Sequence, residues 1–166
     1  TVKDEDLETA TDQVVITATN ATPTLILTGP PSIGEGSLYS LVLGSVIDSG
    51  ADTVTQYRVS WGDGSAVEIF ANAGLITHTF VNQGSPTINV TLVDEDGTHV
   101  NVASKVLTVQ NAVAVLTGIT PNATIISENG LLTLAGTFTD PGTQDGHIVK
   151  VLWGDGTAEQ TVILAP

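Results

Sequence analysis

The chain has 166 residues, 18 acidic side chains against 4 basic ones, a formal net charge of −14, and neither cysteine nor methionine. Phosphate binding needs clustered Lys and Arg, so this balance excludes nucleic acid as a partner and disfavours anionic membrane surfaces. Without cysteine, disulfides and thiolate metal centres are excluded, whereas a surplus of carboxylates suits hard cations such as Ca2+. Apolar residues make up 41% of the chain, enough for a packed core. No apolar run approaches the ~20 residues that span a bilayer, so membrane insertion is not expected. The chain starts at Thr1 and shows no signal peptide, which reads as a piece of a longer or processed protein.

In chain order, residues 1–20 read as the last hairpin of one unit, residues 21–111 as one complete unit, and residues 112–166 as the front of a third. Inside the complete unit, strands are expected over 37–47, 53–61, 66–70, 75–80, 87–93 and 104–109. These segments are rich in β-branched residues and alternate apolar with polar positions. Turn residues separate them: DSGAD, GDGS, ANAG, NQGSP and DEDG. The texture predicts an all-β fold of tandem immunoglobulin-like β-sandwich domains, about seven strands in each ninety-residue unit.

The unit length comes from internal repetition. Trp61-Gly-Asp-Gly and Trp153-Gly-Asp-Gly lie 92 positions apart, as do Asp48 and Asp140. TVKDED at 1–6 matches TLVDED at 91–96, NATPTL at 20–25 matches NAVAVL at 111–116, and Glu35-Gly36 answers Glu128-Asn-Gly. A period of about ninety residues fits whole sandwich domains rather than solenoid repeats. Asp63-Gly64 is then expected to close a tight hairpin turn, with Trp61 ending the preceding strand against the core. The competing role for Trp61 is an exposed surface that stacks on sugar.

WGDG followed by HTF (78–80), INVTLVDEDG (88–97) and LTVQN (107–111), with FTDPGTQDGHIVKVLWGDG (138–156), resembles the PKD (polycystic-kidney-disease-type) repeat. The resemblance covers essentially the whole chain. It implies a β-sandwich module of large bacterial or archaeal extracellular surface proteins, used as a spacer, an adhesive or carbohydrate-contacting element, or an accessory to secreted hydrolases. The chain departs from the pattern at Phe80, where Tyr is commoner, and at Leu7, where Gly usually follows the acidic triplet.

In such a sandwich the BC and FG loops share one end, which places acidic turns at the joints between units. At the first junction Asn20, Asp48, Asp52, Asp94 and Asp96 are the candidate Ca2+ ligands. At the second they are Glu35, Asn111, Asp140 and Asp145. Crowded carboxylates repel one another unless a cation neutralises them. The competing expectation is that these acids are solvated residues closing Asx turns. No EF-hand loop, HExxH, GxSxG or phosphate loop appears. His78, His99 and His147 are expected to be packed or hydrogen-bonded, and Asn20, Asn89 and Asn122 carry glycosylation triplets.

The functional expectation is a non-catalytic spacer, adhesion or filament-forming module outside the cell, stiffened by Ca2+ at its joints. Its partners would be other protein domains or head-to-tail copies of itself. The alternative is a carbohydrate-binding accessory module whose partner is surface polysaccharide.

Overall fold

The computed structural model describes residues 1–3, 5–6, 9–50 and 52–166; the turn expected around Leu7 lies outside these residues. It is all-β among the described residues, with fifteen strands. The first two, β1 (Val2–Lys3) and β2 (Thr9–Ala10), pair antiparallel, and residues 11–23 carry no strand.

Nine strands follow between residues 24 and 110: β3 (Thr24–Thr28), β4 (Ser32–Gly34), β5 (Leu38–Ile47), β6 (Gln56–Ser60), β7 (Glu68–Phe70), β8 (Gly74–Thr79), β9 (Thr87–Val93), β10 (Thr98–Val106) and β11 (Thr108–Gln110). They form a three-stranded sheet β3-β5-β8, a four-stranded sheet β10-β9-β6-β7, and a parallel pair β11-β4. The two larger sheets face one another. Leu25, Tyr39, Leu41, Leu43 and Ile76 of one meet Tyr57, Val59, Ile88, Val90 and Leu92 of the other in a single buried cluster. Strict alternation produces this: in β9 Ile88, Val90 and Leu92 point inward and are fully buried, while the residues between them are less so.

Nine strands replace the expected seven because the first and last each break in two. Pro30 and Pro31 interrupt the first edge, since proline offers no N–H to a ladder. The segment expected as one strand over 104–109 breaks at Leu107, which is fully buried and donates its N–H to the Pro86 carbonyl at 3.0 Å. Beyond the break, Thr108–Gln110 leaves β9 and pairs in parallel with Ser32–Gly34.

Residues 112–166 add β12 (Val115–Pro121), β13 (Leu134–Thr139), β14 (His147–Val151) and β15 (Gln160–Leu164). These make two separate antiparallel pairs, β12-β13 and β14-β15. β6 is flanked on both sides, by β7 and β9, whereas its sequence counterpart β14 pairs with β15 alone.

Candidate functional site

The two WGDG motifs adopt the same turn. Gly62 and Gly154 both have φ 79°, and Gly64 and Gly156 have φ 87° and 85°. Asp63 Oδ1 accepts the Ser65 N–H at 3.0 Å and its hydroxyl at 2.5 Å. Asp155 repeats both bonds with Thr157, at 3.0 and 2.6 Å. The turn differs from the expected tight hairpin. The left-handed conformations belong to the glycines on either side of Asp63, and seven residues separate Ser60 from Glu68.

Trp61 is fully buried and stacks on His78, with ring centroids 4.5 Å apart and planes 11° apart. His78 Nε2 lies 2.7 Å from Asp63 Oδ2, which ties the turn to β8. Burial pushes the Asp63 carboxyl up, but its bonds to Ser65 and His78 outweigh that and hold it below the usual carboxylate range. This aromatic and carboxylate group is therefore a packed structural corner.

The acidic loops behave differently at the two ends. In the first set, the Asp94 side chain is shut off from solvent, and its Oδ2 lies 2.8 Å from His99 Nε2. Both atoms are inaccessible to solvent, and they meet as a close ion pair. Asp94 Oδ1 accepts the N–H groups of Asp96 and Gly97, each at 3.0 Å, which closes the DEDG turn. Burial pushes the Asp94 carboxyl up, and these bonds more than reverse it. Asp52 is raised, first by burial and then by Asp96, Asp48, Glu95 and Asp94, so the two loops do approach one another. Glu95 joins them through Thr53, whose N–H it accepts at 2.8 Å. Asp96 and Asn20 are exposed.

At the other end Glu35, Asp140 and Asp145 each bring one carboxylate oxygen within 4.8 Å of the other two. Three features assemble this group. Glu35 sits between β4 and β5, donating its N–H to Gln110 at 2.9 Å while its Oε1 accepts the Ala112 N–H at 2.6 Å. Asp140 Oδ1 accepts the Gly142 N–H at 3.0 Å, and its Oδ2 lies 2.7 Å from His147 Nε2. These two bonds, His147 first, hold Asp140 below the usual carboxylate range. Gly142 supplies the space: a Cβ there would lie 2.7 Å from Asp145 Oδ2 and 2.9 Å from Glu35 Cδ. Asn111 is exposed between Gln110 and Ala112, the two residues that Glu35 grips. Sequence spacing pointed to the carboxylates but not to His99 or His147, because nothing in a lone histidine's neighbours along the chain reveals which aspartate it meets in space.

A further concave feature is an open groove of about 700 Å³ between the two hairpins of residues 112–166, lined by Leu116, Ile119, Phe138, Val149, Trp153 and Leu164 among others. Trp153 is 37% exposed there and donates its indole N–H to Gln160 at 3.2 Å. No protein-family model matches the chain, and no curated protein is significantly similar to it.

Proposed function

We propose that the chain is a non-catalytic spacer from an extracellular surface protein, built of tandem PKD-like β-sandwich units whose joints are held rigid. The observation that carries this reading is the Glu35 strap. Glu35 belongs to the β4–β5 turn of residues 21–111, yet it is 2% exposed, and Ala112 and the Asp140–Asp145 turn lie against it. Beside it, Gly36 lies so close to Pro141 that a Cβ on Gly36 would overlap the proline ring. Two successive units meeting through a buried acid that accepts a backbone N–H, and through the Gly36–Pro141 contact, form a joint of fixed angle, which suits a stalk. Ca2+ is the cofactor this reading carries, and neighbouring β-sandwich units, including those of a second copy, are its partners.

The carbohydrate-binding alternative needs an aromatic platform. Trp61, Tyr39 and Phe80 are all nearly inaccessible, which leaves Trp153 as the exposed tryptophan. One exposed tryptophan, with Phe138 half-buried in the same apolar groove, falls short of such a platform and favours the spacer.

The test is backbone ¹⁵N relaxation on the whole chain. A rigid joint gives residues 24–110 and 115–164 one common rotational correlation time. Two independent correlation times would sink the spacer reading.

A further inference from the structure

Resting on that junction reading, we propose that Glu35, Asp140 and Asp145 form a Ca2+ site that clamps the joint. Two independent observations carry it. The first is the convergence of three carboxylate oxygens within 4.8 Å. The second is the state of Glu35 itself: it is 2% exposed, and its Oε2 is sealed from solvent with no hydrogen-bond partner. A buried carboxylate oxygen left bare needs a counter-charge. The chain has few cations to give: Arg58 is bonded to Gln56 at 3.0 Å, and Lys150 is paired with Glu159 at 2.9 Å.

The surroundings fit an ion. Glu35 is pinned by Ala112 through Oε1, which also borders the Gly142 cradle, and its Oε2 is left bare. His147 holds Asp140 from the outside, as outer partners of ligating groups commonly do. Gly142 leaves open the space that a methyl group would fill against Asp145 and Glu35. The donors are all carboxylate oxygens. Ca2+ accepts six to eight oxygens in irregular geometry, with backbone carbonyls and water completing the shell, whereas Mg2+ demands a near-ideal octahedron and gives up water reluctantly. Zn2+ favours nitrogen and sulfur donors. An all-carboxylate set completed by carbonyls and water therefore favours Ca2+ over Mg2+.

The experiment is isothermal titration of the chelator-stripped, full 166-residue chain with CaCl2 and then MgCl2. Salt of about 0.15 M screens loose binding to the acidic surface. The expected result is one Ca2+ site, at least tenfold weaker for Mg2+, and at least tenfold weakened in Glu35→Gln and Asp145→Asn. Gly142→Ala keeps every charge and fills the cradle, so it must weaken binding as well; it stands in should Glu35→Gln fail to fold. An Asp12→Asn control in the exposed strandless stretch must leave binding unchanged. Unaltered Ca2+ binding in Asp145→Asn and Gly142→Ala, or no site at all, overturns the clamp. A common correlation time without Ca2+ binding keeps the spacer and rejects the ion, so the two proposals fail separately.

Discussion

Trp61 and His78 stack face to face at 4.5 Å, and the histidine in turn lies 2.7 Å from Asp63, two residues beyond the tryptophan. The WGDG motif thus folds back on itself through β8, and Phe80 closes the group edge-on to both rings at 6.2 and 4.8 Å. Truncating Trp61 to Ala removes the largest fully buried side chain of the core. Large-to-small core changes of this kind cost about 3–5 kcal/mol. Trp61 Nε1 is buried without a partner, so Trp61→Phe sheds an unsatisfied donor along with some packing and should cost less than about 2 kcal/mol. Urea denaturation followed by circular dichroism checks both. Equal losses in the two variants would show that the indole does more than fill space.

The second prediction uses the repeated turn as its own control. Gly62 and Gly154 share φ 79°, so Ala at either position carries the same left-handed strain, about 1–2 kcal/mol. Their surroundings differ. A Cβ on Gly62 would run into the Thr87 backbone, 2.8 Å from its nitrogen, while a Cβ on Gly154 meets nothing within 4 Å. Gly62→Ala should therefore add an overpacking cost of about 1–3 kcal/mol that Gly154→Ala lacks. Thermal melts of the two variants measure the difference, and indistinguishable melting temperatures would refute it.

Acid should unfold the protein from its paired aspartates. Asp63, Asp94 and Asp140 are all held below the usual range in the folded state. A carboxylate lowered on folding contributes stability that is present above its unfolded pKa of about 3.9 and is lost as pH falls through the folded value. Stability should hold through mild acid and drop below about pH 4, and Asp140→Asn should flatten that drop. Asp52 has the opposite sign: its folded pKa is raised, so its charge costs stability once pH exceeds the unfolded value. With chelator present, Asp52→Asn should raise the melting temperature at pH 7 and leave it unchanged at pH 3. A lowered melting temperature at pH 7 would reverse the assignment.

The elements that were legible in the sequence are those whose causes are local. Alternation in TINVTLV gives the inward face of β9 directly, and the spacing of the two WGDG motifs announces a recurring turn. The long-range choices were not legible. Pairing of Thr108–Gln110 with Ser32–Gly34 depends on the strand break at Leu107 and on the two prolines at 30 and 31, and a parallel partner leaves no periodic mark. The same holds at the acidic ends. Topology put Glu35 near the Asp140 turn, but only geometry shows Asp94 engaged by His99 while Glu35 keeps one bare oxygen. Whether an acid closes a turn or stands ready for an ion depends on a partner far away in sequence.

The open groove of residues 112–166 leads to the last prediction. β6 has β9 on its second edge, and that strand covers the core beneath it; β14 has no such neighbour among the described strands. Val162 and Leu164 of β15, 41% and 36% exposed, line the apolar groove together with Val149 of β14. An unpaired edge next to an apolar groove invites a strand from another chain. By the ninety-residue offset, residues 1–20 answer residues 91–110, the end of β9 with β10 and β11, and Val14, Val15 and Ile16 stand exposed there. The chain should therefore associate head to tail with increasing concentration, a contact that does not close on itself as a two-fold dimer does. Sedimentation velocity from micromolar to millimolar protein would show species growing beyond a dimer. Ile16→Lys and Ile119→Lys, on the two surfaces that meet, should each abolish that growth. Growth that stops at a dimer, or that survives both substitutions, would place the contact elsewhere.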